Sequence, residues 1–166
     1  MVPVLKLDDG TLIGEAMAIC RYFEELYPDP PLMGTDAKDK AIVEMWEKCA
    51  NEEGMLAASE LFRNTHPSFV DRGLPGSAES IKQHPYLVEH AKARLGRFYR
   101  KFDAQLANKE FFAGKRYTIA DATTLCARVK HGRFFNKQFA PLRAFAATLT
   151  PHKGIPWAHS NTCCAK

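Results

Sequence analysis

The segment Thr118-Ile119-Ala120-Asp121 opens a stretch that is small or apolar on nearly every side: Ala120, Ala122, Thr123, Leu125, Cys126 and Ala127. A helix of that composition has no face for water and is buried. Its first N–H groups then need partners inside the protein. Thr118 reads as the N-cap, its hydroxyl accepting from the Asp121 N–H and the Asp121 carboxylate accepting from the Thr118 N–H. That is a capping box with Asp in place of Glu. Gly114, just ahead, permits a tight lead-in turn.

The other segments supply what such a helix packs against. Leu87, Ala91, Leu95, Phe98, Phe102 and Leu106 recur at spacings of 4, 4, 3, 4 and 4, one apolar stripe on a long helix. Pro85 fits its first turn. An earlier helix is expected to start at a Thr35 cap, with Lys38 where a capping box would need an acid, and to run to about Asn64. Ile42, Met45, Cys49 and Leu56 mark its core face, and Glu44, Glu47, Glu52 and Glu53 a solvated one. The stretch from His66 to Gln83, with two Pro and two Gly, reads as a loop.

Towards the N-terminus the pattern changes. Asp9-Gly10 lies between Val4-Leu5-Lys6-Leu7 and Thr11-Leu12-Ile13, a hairpin signal. A helix beginning at Glu15 follows, with Ala16, Ile19, Phe23 and Leu26 on one stripe. Pro28, Pro30 and Pro31 end it, and Pro28–Gly34 reads as a linker.

Charge divides the chain differently. Residues 1–110 carry 14 Lys+Arg against 18 Asp+Glu, whereas residues 111–166 carry nine basic residues against Asp121 alone. A basic tail suits nucleic acid, and Arg128, Lys130, Arg133 and Lys137 beside Phe134 and Phe135 would be the contacts; an unrelated tail with no partner is the simpler reading. His152, His159, Cys163 and Cys164 lack zinc-site spacing, so no metal is expected. Five Cys with no framework spacing suit a reducing compartment, the cytoplasm. Cys20, Cys49 and Cys126 read as core thiols. No run is long enough for a membrane span, and Met1-Val2-Pro3-Val4 does not read as a signal peptide.

Two motifs about 100 residues apart now bear on family. Phe111-Phe112-Ala113-Gly114-Lys115-Arg116-Tyr117-Thr118-Ile119-Ala120-Asp121 resembles the F-x-A-G-x-x-x-T-I-A-D stretch of cytosolic glutathione S-transferases. Val2-Pro3-Val4-Leu5, Asp9-Gly10-Thr11 and Glu15-Ala16-Met17-Ala18-Ile19-Cys20-Arg21-Tyr22 resemble that family's V-P-x-L, D-G-x and E-S-x-A-I-x-x-Y block. The resemblance runs from Val2 to about Ala127. It implies a mainly α chain: a partial thioredoxin-like α/β piece over residues 1–30, an all-helical domain over 31–130, and a divergent, poorly ordered basic tail over 131–166.

The resemblance also implies a function. The parent reaction is attack of glutathione thiolate on a hydrophobic electrophile, with glutathione as substrate and no cofactor. It implies glutathione contacts at Val2, Pro3, Glu15 and Ala16. A cis Pro3 exposes the Val2 backbone to the cysteinyl part, Glu15 meets the α-ammonium, and the helix N-terminus meets the α-carboxylate. Ala16 stands where the family has Ser, at a cost of about 1.5–3 kcal/mol for the missing hydrogen bond to a charged group. No catalytic residue is assigned, because the family's Ser, Tyr or Cys follows a first strand that would precede Met1. Impaired conjugation is therefore expected. The short start and odd tail suggest a fragmentary, frameshifted or alternatively spliced product. A homodimer is implied for an intact relative, and membrane and nucleic-acid partners are not expected. The alternative is a non-catalytic interaction module, as in the transferase-like domains of translation factors.

Overall fold

The structure, a computed structural model, describes residues 3–129, with side chains through Ala127. Two strands, β1 (Val4–Lys6) and β2 (Leu12–Gly14), pair antiparallel with Leu5 opposite Ile13. The turn forms as the Asp-Gly pair requires. Gly10 adopts φ 87°, a conformation glycine takes without penalty. The Asp9 carboxylate accepts the Thr11 N–H at 2.8 Å.

Helix α1 (Ala16–Leu26) follows, with Glu15 as its N-cap rather than its first residue. Ile19 is half-buried, but Ala16, Phe23 and Leu26 remain exposed, and α1 has no fully buried residue. The expected stripe exists in sequence, but among the described residues little covers it. The linker beyond α1 contains a cis Asp29–Pro30 bond.

Helix α2 (Ala37–Cys49) is capped by Asp36, not by Thr35. The Asp36 carboxylate accepts the Asp39 N–H at 2.9 Å, while Thr35 donates both its N–H and its hydroxyl to Asp39 Oδ2. A carboxylate at the N-cap adds a favourable interaction with the helix dipole that a hydroxyl lacks. The rod continues through a π segment (Ala50–Met55) into α3 (Leu56–Thr65).

The buried side of that rod is not the expected one. Val43, Glu47, Ala50, Gly54, Ala57, Ala58 and Leu61 face inward, while Met45 and Leu56 are 51% and 55% exposed. The inward residues recur at spacings of 4, 3, 4, 3, 1 and 3, a single stripe in sequence that runs one residue out of step with the expected one, while the wider π winding turns the α2 half toward α5 and the α3 half toward α4. Small residues line the contact because the neighbours come close. A Cβ on Gly54 would lie 2.7 Å from Phe98 Cζ. Glu47, expected in solvent, is buried.

After a short 3-10 turn (Pro67–Phe69) and a loop, α4 (Pro85–Leu106) crosses the core. His84 caps it, its Nδ1 accepting the Tyr86 N–H at 3.2 Å, and Pro85 occupies the first turn. Ala91, Leu95, Phe98, Phe102 and Leu106 are buried as their spacing requires. Their rings continue into Phe112 and Trp46, with centroids 4.3 Å apart for Phe98–Phe102, 4.7 Å for Phe102–Phe112 and 5.4 Å for Trp46–Phe102. The loop before α4 is held by Gln83, which donates to the Arg63 and His66 carbonyls, and by Asn64, which accepts the His84 N–H.

Helix α5 (Ile119–Val129) inserts against α2 and the π segment. Thr118, Ala120, Asp121, Thr124 and Ala127 are buried. Cys126 is exposed and Cys20 and Cys49 are half-buried, so none of the three is a true core thiol. Cys126 projects from the side of α5 away from Ala120, Thr124 and Ala127, about 200° round the helix from Thr124. Among the described residues no helix is long and apolar enough to cross a membrane.

Candidate functional site

The α5 cap is a structural centre. Asp121 is fully buried. Its Oδ2 accepts the Thr118 N–H at 2.8 Å and the Thr118 hydroxyl at 2.9 Å, and its Oδ1 accepts the Phe112 N–H at 3.1 Å. One arm of the expected box therefore forms. The other is reversed, because the Thr118 hydroxyl donates to the carboxylate instead of accepting from the Asp121 N–H, which bonds to the Thr118 carbonyl. A buried carboxylate needs donors more than one helix N–H needs a side-chain acceptor. Burial pushes the Asp121 carboxyl up, against the lowering effect of its bonds from Phe112 and Thr118.

The candidate binding residues gather at one end of the hairpin. Val4 pairs with Gly14, so the register carries Pro3 to the end where Glu15 opens α1. Glu15 sits at φ 64°, ψ 124°, without a side-chain hydrogen bond to the helix it starts. A non-glycine residue in such a region costs on the order of 1–3 kcal/mol. Glu15 and Ala16 are both exposed. The first N–H groups of α1 have no partners within the helix, and no acidic side chain occupies its first turn. That end can take a carboxylate, with the Glu15 carboxylate beside it for a cation. Val2, and with it the Val2–Pro3 bond, lies outside the described residues. So do residues 130–166, including the His152 group, most of the basic cluster that begins at Arg128, and the whole of the expected tail.

Two features went unread in the sequence. Arg116 donates from Nε to the Pro31 carbonyl at 3.1 Å and from its guanidinium to the Asp39 carboxylate. That contact holds the Asp39 carboxyl below its usual range, helped by the Thr35 bonds. The partners lie 77 and 85 positions apart, so no local pattern points to them. The second is Glu47, which accepts from the Thr123 hydroxyl at 3.3 Å across the α2–α5 contact. Burial pushes its carboxyl up, and the Thr123 bond opposes this. It lies four residues after Val43 and three before Ala50, on the same inward stripe. Among the described residues no group of three or more His, Cys, Asp or Glu is gathered to hold a metal ion.

Residues 1–31 match the glutathione S-transferase N-terminal domain, and residues 65–147 match the glutathione S-transferase C-terminal domain. The chain belongs to the glutathione S-transferase family. Glutathione S-transferase 2 of Saccharomyces cerevisiae is 33% identical over 129 residues, covering 77% of this chain and 52% of that protein. The solved structure of Gtt2 from Saccharomyces cerevisiae superposes with a TM-score of 0.78 at 25% identity, over 95% of this chain and 74% of that one. Elongation factor 1-gamma of Schizosaccharomyces pombe is 29% identical over 127 residues, covering 75% of this chain and 28% of that protein. The chain spans about half the length of the glutathione S-transferase 2 it matches. Both motifs first noticed in the sequence fall inside the matched segments, the Glu15 block in the first and the Thr118–Asp121 cap in the second.

Proposed function

We propose that the hairpin end formed by Val2, Pro3, Glu15 and Ala16 is part of a glutathione site. In this reading the Glu15 carboxylate meets the α-ammonium of the γ-glutamyl group. The N–H groups at the start of α1 meet its α-carboxylate, and the Val2 backbone pairs with the cysteinyl part. The observation that supports it is Glu15 itself. Among the described residues its carboxylate makes no cap bond to the helix it starts, its backbone is strained, and such strain commonly serves a ligand.

The reaction of the whole protein is then attack of the glutathione sulfur on an electrophilic carbon, with the leaving group or added proton balancing the step. The thiol proton must leave first, and a hydrogen bond to the sulfur would lower its pKa. No residue of this chain is assigned that role, so we expect near-background conjugation and weak glutathione affinity. Residues 1–30 form the glutathione-site piece, 31–130 the helical domain with the electrophile wall, and 131–166 a divergent tail. The setting is the cytoplasm, and a homodimer is the assembly of an intact full-length relative. Isothermal titration with glutathione, repeated on Glu15→Ala, tests the site. Binding lost in the variant supports it, and binding unchanged sinks it. A conjugation assay with an aromatic electrophile tests the impairment, which robust turnover would contradict.

The match to elongation factor 1-gamma favours a second reading, a non-catalytic interaction module of the same fold. Retention of a translation-factor subunit, with no retention on immobilised glutathione, would select it.

A further inference from the structure

Helix α1 carries Glu15 at one end and is itself thinly packed. Its position depends on what holds its other end. Glu24, nine residues from Glu15, accepts the Met33 N–H at 2.7 Å and so ties α1 to the linker. The linker is gripped in turn from the α5 side: Arg116 Nε binds the Pro31 carbonyl, and the Ile119 N–H binds the Leu32 carbonyl at 3.0 Å. The Arg116 guanidinium also binds Asp39, which already holds Thr35. Three consecutive linker residues, Pro31, Leu32 and Met33, are therefore held by Arg116, Ile119 and Glu24. One more described tie joins α1 to α2, the Arg21–Glu44 pair at 3.4 Å. Both of its side chains are well exposed, and such pairs contribute little. Arg116 differs in kind, since its planar fork fixes direction as well as distance.

We propose that Arg116 is a positioning residue for the glutathione half-site, acting by clamping the linker and thereby the orientation of α1 against α2 and α5. This rests on the reading of Glu15 and Ala16 as glutathione contacts. Nine residues of helix make a lever of about 13.5 Å. A tilt of about 10° at the clamp would move the α1 N-terminus by about 2 Å, beyond the tolerance of an oriented contact.

The test uses the full chain with Arg116→Gln and Arg116→Lys, and two measurements. The first is amide hydrogen exchange, which needs no ligand. Arg116→Gln is expected to raise exchange in α1 and the linker by about tenfold, the scale of one hydrogen bond to a charged group, while α4 keeps its protection. Arg116→Lys can restore the Asp39 ion pair but not the planar two-direction grip, so it recovers only part of the loss. Unchanged exchange in α1 overturns the proposal, as does an equal rise in α1 and α4, which would mark plain destabilisation. The second is glutathione titration followed at the Ala16–Ala18 amides. A weakening of about tenfold or more in Arg116→Gln, on the same scale, supports the clamp; equal affinity overturns it. If glutathione fails to move those amides in the unsubstituted chain, the site reading fails. That failure is told apart from failure of the clamp, because exchange reports on the clamp alone.

Discussion

Asp121 Oδ2 receives both the N–H and the hydroxyl of Thr118, at 2.8 and 2.9 Å, while its other oxygen reaches nine residues back to the Phe112 N–H. One carboxylate thus joins the start of α5 to the turn that precedes it. Asp121→Ala should cost about 2–4 kcal/mol, because it removes the cap and the acceptor of the buried Thr118 N–H and hydroxyl. A urea titration measures this as a lower midpoint at constant slope. An unchanged midpoint would contradict the account.

Gly54 and Gly96 make a matched pair. Gly54→Ala drives a methyl to 2.7 Å from Phe98 Cζ, whereas the nearest atom to a Cβ on Gly96 is the mobile Arg100 Nη1 at 3.6 Å. Gly54→Ala should destabilise by about 1–3 kcal/mol through overpacking, despite the better helix propensity of alanine. Gly96→Ala should stabilise by up to about 1 kcal/mol. Thermal melts of the two variants should shift in opposite directions.

Glu47 predicts a pH effect. Its carboxyl is raised in the fold by burial, so the native state holds the proton more tightly than the unfolded chain. Stability from this group is complete below the unfolded value of about 4.3. It declines as the pH rises through the raised folded value. Asp121, also raised by burial, contributes in the same direction. Glu47→Gln should remove the Glu47 part of the slope and gain stability relative to the parent as pH rises. Equal slopes for parent and variant would show that the fold does not raise the Glu47 carboxyl.

Asp39 works in the opposite sense. Arg116 lowers its carboxyl, so its contribution is present above the unfolded value of about 3.9 and is lost as pH falls through the lower folded value. Asp39→Asn should therefore lose stability at neutral pH and converge on the parent in acid, which melts at several pH values would reveal.

Glu15→Gly should separate stability from binding. Glycine accepts φ 64° without penalty, so a gain on the order of 1 kcal/mol is expected, together with loss of glutathione affinity. A loss of stability would mean that the carboxylate has a structural partner.

Local signals made much of this legible. The α4 stripe from Ala91 to Leu106 and the Asp9-Gly10 turn depend on residues close in sequence and formed, and of the Thr118–Asp121 cap one arm formed while the other is reversed. The end of the hairpin where Pro3 meets Glu15 was legible only through resemblance, since a lone glutamate at a helix start usually just opposes the dipole. The strain at Glu15 is a backbone property that no side-chain pattern encodes. The Arg116 clamp joins positions more than 70 apart, and a charged residue in a loop gives no hint of its partner. Glu47 was misread because its charge placed it on the solvated face and the stripe was drawn through Ile42, Met45, Cys49 and Leu56, one residue off the line of Val43, Glu47, Ala50, Gly54 and Ala57 that the fold buries.

Those six residues act as a gear change in a single rod. The half before them meshes with α5, and the half after them meshes with α4. Removing one residue between Ala50 and Met55 would let the rod close into an ordinary helix. With α3 held by α4, α2 would keep its facing, because six residues of wider π winding lag an α-helix by about the 100° of one residue. Val43, Glu47 and Ala50 would stay on the inward side. The extra residue is absorbed within the rod itself, and neither neighbour has to give way to it.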